Sequence, residues 1–453
     1  MSTVVETVVE TGVAPRGERG GRWIEHWEPE DPAFWERTGK RVARKNLVLS
    51  ILAENLGFTV WSLMSIVVVS LGQVGFDFSV GQQFWLLIVP NLVGAVLRVP
   101  YTFAVPRFGG RAWTTISAGL LLVPCAMLIT AVVNPGTPYW FFLLTAAAMG
   151  FGGGNFSSSM ANISFFYPEG RKGLALGLNA AGGNLGVAVV QLVVPMVITL
   201  GAGVNLAYAA AFWMPFIVVA TACAWFLMDS LVQAKPDGTS YRAAMSNKHT
   251  WVMSFLYIGT FGSFIGFSFA FPSLIRLSFA DHREFVALAF LGALIGSVSR
   301  PFGGWLADRF GGARITLLTF VGLGIGTVGV LASTELGSFP LFFGSFTWLF
   351  VLAGMGNGST YRMIPAIFAT QVADLAPARR QAAAVVGIAG AVGAFGGVLV
   401  NLVFKFSLEG GGTLAPALTA FLAFYALCVT TTWWFYLRRR VFVRVPSLAH
   451  AGV

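Results

Sequence analysis

Charge is what this chain has least of. Only 11% of its 453 residues are Asp, Glu, Lys or Arg, and the 19 acids are outnumbered by 29 bases. A soluble domain is charged at roughly a quarter of its positions, so an ordinary water-facing surface is excluded. The three cysteines, Cys125, Cys223 and Cys428, are too scattered for a disulfide framework or a metal site and read as packing residues. The four histidines, His26, His249, His282 and His450, fall in an expected arm, loops and tail, which leaves no cluster for zinc or for a proton relay at membrane depth. No nucleophile-base pair or phosphate loop is present either, since the glycine-rich runs sit inside apolar stretches rather than after strands. An enzyme is therefore not expected, nor a metal or other cofactor.

Apolar length is what the chain has instead. It is 56% hydrophobic with a mean hydropathy of +0.74. Runs long enough to cross a bilayer, about 20 residues each, recur at 46–72, 82–104, 113–133, 139–167, 173–199, 205–229, 249–276, 286–306, 314–334, 339–369, 381–406 and 414–437. The expected class is an all-α integral membrane protein with twelve transmembrane helices. Residues 1–45 are polar and have no apolar core, so they read as a cytosolic arm rather than a signal peptide. Trp23, Trp27, Phe34 and Trp35 suggest that part of this arm lies along the membrane surface, with a free tail as the alternative.

The net charge of +10 does not imply a nucleic-acid partner, because the basic residues are placed by topology. They occupy the arm, the tail and every even-to-odd connection, whereas the opposite connections hold only Arg276, Arg283 and Lys405. By the positive-inside rule both termini are cytoplasmic, in a multi-pass protein of the cytoplasmic membrane.

Similarity at a fixed offset divides the chain in two. Arg98 stands eight residues before Pro106-Arg107-Phe108-Gly109-Gly110, and Arg300 stands eight before Asp308-Arg309-Phe310-Gly311-Gly312. A proline follows each arginine within two residues (Pro100, Pro301), and the arginines and the loops after them share an offset of 202 residues. Such repetition marks a duplicated unit, and parallel halves are a known transporter architecture. The expected organisation is an arm (1–45), a six-helix bundle (46–229), a cytoplasmic linker (230–248), a second six-helix bundle (249–437) and a cytosolic tail (438–453). The stretch GGWLADRFGGAR also resembles the loop signature of the major facilitator superfamily, although Pro106 stands where the first copy would have its aspartate. Asp308 and Arg309 are read as gating residues.

The ionisable residues left at membrane depth are Glu54, Arg98, Arg300 and Arg362. An arginine in mid-helix costs about 2.5–3.5 kcal/mol on insertion scales. Snorkelling could relieve one of them, but two at equivalent repeat positions would face each other across the interface between halves, where substrates bind. Two fixed cations with one carboxylate select an anion, and the planar fork of guanidinium suits a flat oxyanion. Nitrate, nitrite, bicarbonate and small carboxylates all satisfy this requirement. Arg362 is read as structural, pairing with Asp374 or capping carbonyls. Buried amides need partners, and of Asn155, Asn162, Asn179 and Asn184 we expect Asn179 to complete the anion's hydrogen bonds.

LRVPYTFAVPRFGGR (97–111), GGGNFSSSMANISFFYP with GLNAAGGNLG (152–186), YIGTFGSFIGFSF (257–269) and GNGSTYRMIP (356–365) resemble the nitrate/nitrite porter family of the major facilitator superfamily. The resemblance implies an anion clamped by Arg98 and Arg300, with hydrogen bonds from Asn179 and Tyr257 and walls from Phe58, Phe151 and Phe261. It also implies a secondary transporter of nitrate and nitrite working by alternating access, expected as a monomer. An anion channel or a non-transporting nitrate sensor of the same fold is the alternative. Glu54, one turn before Phe58, leaves the coupling open. It either carries protons for nitrate/proton symport, or pairs with an arginine on the cytoplasmic side and gates a nitrate/nitrite antiporter.

Overall fold

Aspartate followed by proline is a strong helix start, because the carboxylate caps free amides and proline tolerates the first turn. Asp31 accepts hydrogen bonds from the Ala33 and Phe34 amides and is followed by Pro32. The first helix therefore begins fourteen residues earlier than the expected span, and part of the arm is its extension. The computed structural model describes residues 22–234, 238–372, 374–439, 447–450 and 453. Residues 1–21 of the expected arm, 235–237 of the linker and 440–446 of the tail lie outside the described residues.

Among the described residues, eleven helical segments are long and apolar enough to cross a membrane. They are α1 (Pro32–Val74), α2 (Val80–Phe108), α3 (Gly110–Val133), α5 (Glu169–Val197), α6 (Ala207–Leu227), α7 (Lys248–Ser278), α8 (Ala280–Phe310), α9 (Gly312–Glu335), α10 (Phe339–Ala369), α11 (Pro377–Gly411) and α12 (Ala415–Leu437). A further helix, α4 (Tyr139–Phe166), has 28 residues and matches them in length. It is the more polar because GGGNFSSSMAN runs through it.

The two halves pack alike. α2 lies on α4 as α8 lies on α10, and α1 lies on α5 as α7 lies on α11. The repeat extends to the backbone: Gly109 and Gly311 both take positive φ (85° and 92°) between the second and third helices of their halves. The halves meet where α2 packs on α11, α5 on α8 and α1 on α7. Within the second half, glycine brings helices equally close. A Cβ on Gly262 of α7 would come within 2.7 Å of the Gly396 Cα on α11, too near for any other residue.

The aromatic arm docks on protein rather than lying free along the bilayer. A strand β1 (Trp23–Ile24) pairs in parallel with β2 (Ser230–Leu231) after α6. Trp27 and Trp35 are buried with Phe166 and Ala43. Arg22 and Lys45 converge on the buried Asp229 at 3.0 and 2.5 Å, and the Asn46 amide donates to the same carboxylate at 2.9 Å. A short helix, Gly238–Ser246, precedes α7.

Candidate functional site

Arg98 and Arg300 project from the middle of α2 and α8 and are 0% and 5% exposed, so neither snorkels out. Arg98 donates through Nε to the Gly153 carbonyl of α4 (3.2 Å) and through Nη1 to the Gly390 carbonyl of α11 (2.6 Å), and so bridges the two halves. Arg300 donates through Nη2 to the Tyr257 hydroxyl at 3.3 Å. Each guanidinium keeps one buried nitrogen, Arg98 Nη2 and Arg300 Nη1, with no partner among the described residues. In a low-dielectric interior such a donor favours an acceptor, and an anionic one most.

A column of rings connects the two arginines. The Arg98 guanidinium carbon lies 4.5 Å from the Phe156 ring centroid and 5.1 Å from that of Phe261. Phe261 stacks on Tyr257 at 5.2 Å, Tyr257 stacks on Tyr361 at 4.5 Å, and the Arg300 guanidinium lies 4.9 Å from the Tyr361 ring. Phe58 packs behind Phe156, with ring centroids 6.2 Å apart. Tyr257 immediately precedes, and Phe261 lies within, a π-helical turn, Ile258–Gly262, the kind of local irregularity often found at functional positions. Glycines make room for the column: a Cβ on Gly390 would lie 3.2 Å from the Tyr361 hydroxyl, and one on Gly393 would collide with the Tyr257 ring. A cavity of about 300 Å³ leads from Phe156 and Met160 toward Lys172 and Arg379, at the face where the arm docks.

Four expectations are adjusted. Phe151 is half-buried and, among the described residues, joins none of these ring contacts. Phe156 takes the place over Arg98, and five residues along a helix turn the two side chains about 140° apart. Asn179 does not point a free donor at the arginines: its Nδ2 is held by Glu54 Oε2 at 2.6 Å and Ser159 Oγ at 2.7 Å. Glu54, 1% exposed, has this amide as its partner rather than an arginine. Arg362 pairs with Asp308, not Asp374, and both are about half exposed. Arg309 lies over Trp305 and Phe310.

Sequence reasoning missed Phe156, Tyr361 and the Gly390 carbonyl. The first two lie within quoted motifs, but one membrane-buried aromatic cannot be told from another before its helix face is known. Backbone carbonyls leave no sequence signal at all.

The comparisons with known proteins agree with this architecture. The model of the Major Facilitator Superfamily matches residues 47–401. The nitrate/nitrite transporter NarU of Salmonella typhimurium is 43% identical over 92% of this chain and 96% of its own length. A probable nitrate/nitrite antiporter, NarK2 of Thermus thermophilus, is 36% identical over 92% of this chain and 97% of its own length. Among solved structures, a D-xylose-proton symporter superposes with a TM-score of 0.66 at 14% identity, covering 86% of this chain and 97% of that one, which shows the shared fold. A duplicated twelve-helix frame with paired arginines on the second helix of each half, and relatives of this closeness along nearly its whole length, place the chain in the nitrate/nitrite porter family of the major facilitator superfamily.

Proposed function

We propose that this protein carries nitrate and nitrite across the cytoplasmic membrane by alternating access, and that a proton moves with the anion. The observation that carries the reading is the pair of buried guanidiniums, one from each half, joined by an aromatic column and each holding an unpartnered N–H. A planar oxyanion slotted between rings can take one N–H from each arginine, and water exclusion strengthens both bonds. Because each arginine belongs to a different half, the bound anion ties the halves together. Without it, two buried like charges make the occluded state costly. Bundles 46–229 and 249–437 are the units that rock, with both termini cytoplasmic, and a monomer contains the whole site. Asp308 and Arg362 form a latch on the cytoplasmic side, with Arg309 stacked beside it.

Glu54 favours coupling to protons over simple exchange, because its buried carboxylate is held by an amide rather than neutralised by an adjacent cation. A proton on Glu54 removes the charge that grips Asn179, and one amide N–H can then turn to the anion. Proton and anion binding thus reinforce each other. In proteoliposomes containing no nitrite, nitrate uptake is expected to follow an imposed inward proton gradient, and Glu54→Gln is expected to erase that dependence. Uptake that needs internal nitrite and ignores the gradient would establish exchange instead. Counterflow with nitrate, nitrite and chloride separates a carrier from a channel or a sensor.

A further inference from the structure

The carboxyl of Glu54 has two oxygens in different surroundings. Oε2 accepts from Asn179, whereas Oε1 is buried with no partner among the described residues. Beside Glu54 is a small cavity lined by α1, α3 and α4, all helices of the first half. Its walls include Ser50, Thr114, Ser117, Asn155, Ser158 and Ser159, and it offers about 10 Å³ to the centre of a water molecule. That is close to the ~10–15 Å³ that one buried water requires. Around it, Ser50 Oγ and both amide atoms of Asn155 also lack partners. Buried polar atoms left in this condition cost about 1–3 kcal/mol each, and a water with its mixed donors and acceptors can satisfy several together. A metal cation would meet the oxygens but leave the Asn155 Nδ2 donor facing a positive charge.

Spacing along α1 gives this cavity a direction. Asn46, Ser50 and Glu54 recur every fourth residue, one turn or ~6 Å apart on one face, and all three are buried. The polar face ends at Asp229 on the surface where the arm docks. Thr114 lies in the second turn of α3, close to the same surface. The charged groups acting on Glu54 are Arg98 from α2 and Arg300 from α8. From α3, α4 and α5 it faces hydroxyls and amides.

We infer that this cavity holds water and forms a proton route within the first half, connecting Glu54 to the cytoplasm separately from the anion's path. In one passage the Glu54 carboxyl gives its proton to the water. The water passes one of its own to the hydroxyl series of Ser50, Ser117 and Thr114, and a proton leaves to the cytoplasm. Glu54 is left as carboxylate, ready to grip Asn179 again, and no other bond changes. The inference rests on the reading of Glu54 as the proton carrier.

The test uses the full chain in proteoliposomes with Ser50→Ala, Ser117→Val and, in parallel, Glu54→Gln. Ser50→Ala removes a hydroxyl that makes no hydrogen bond in the structure, so folding should survive, and a thermal melt checks this for each variant. Proton-driven nitrate uptake is expected to fall about tenfold in Ser50→Ala and Ser117→Val, while nitrate/nitrite counterflow stays within about twofold of the unmodified protein. If Glu54→Gln erases proton dependence and both cavity variants retain it in full, the route is wrong and the coupling role stands. If Glu54→Gln leaves proton dependence intact, the coupling role itself fails and the route with it. Uptake driven by a sodium gradient at equal pH, and lost in Ser117→Val, would overturn water in favour of a cation in the cavity.

Discussion

Arg98 and Arg300 occupy equivalent places in two copies of one helix, yet they are held differently. Arg98 is fixed by two backbone carbonyls, one from each half, and is packed against Phe156 and Phe261. Arg300 has a tyrosine hydroxyl and the face of Tyr361. The loops eight residues downstream differ in the same sense. In the first half, the docked arm covers Gly109, so that a Cβ there would lie 2.6 Å from Ser230 Oγ and 2.8 Å from the Trp23 ring. In the second half, an exposed Asp308–Arg362 pair is the corresponding tie. Duplication has preserved the positions of the charges and relaxed the means of holding them. The first half is strapped into a rigid unit, and the second is closed by contacts that can come apart.

The largest effect that tests this contrast concerns the arginines. Arg98→Lys would leave the Gly153 and Gly390 carbonyls short of donors as well as losing the fork, so nitrate flux in proteoliposomes is expected to fall by about 100-fold or more. Arg300→Lys loses one charge-assisted bond of about 1.5–3 kcal/mol, roughly tenfold to 100-fold at 1.4 kcal/mol per decade. Equal losses would mean that the difference in environment does not matter.

A smaller effect separates the loops. Gly109→Ala and Gly311→Ala both place a side chain at positive φ, which costs about 1–3 kcal/mol. Gly109→Ala also meets Ser230 and Trp23, while the nearest neighbour at Gly311 is the Val453 carbonyl at 3.6 Å. Thermal unfolding in detergent is expected to show the larger drop for Gly109→Ala, and the reverse order would break the strapped-half picture. Smallest is the comparison of the acids. Asp229→Asn strips a buried carboxylate of its pairing with Arg22 and Lys45 and is expected to destabilise by about 1–3 kcal/mol. A double-mutant cycle on Asp308 and Arg362 should return only about 0.2–1 kcal/mol, as befits an exposed pair.

Much of this was legible beforehand because membrane burial limits what a sequence can hide. A guanidinium at Arg98 or Arg300 stands out against apolar neighbours, and the shared offset makes the two a pair without any coordinates. The start of α1 was misjudged because hydropathy does not register the Asp31-Pro32 cap. The partner of Arg362 was misjudged because Asp308 lies 54 residues away in the chain and reaches it only through the packing of α8 on α10. Phe151 and Phe156 could not be ranked, since α4 is aromatic, glycine-rich and polar on several faces, and its periodicity assigns none of them to the site.

The sequence by itself determined the class, the twelve spans, the duplication and the sign of the substrate's charge, because hydrophobic length, repetition and unpaired charge are properties of local composition. Only the tertiary structure decided which ring covers Arg98, that Glu54 holds Asn179, that a strand from the arm straps the first half, and that a polar cavity adjoins the carboxylate. These depend on contacts between segments tens to hundreds of residues apart, where rotation of a helix by one residue, about 100°, exchanges one neighbour for another.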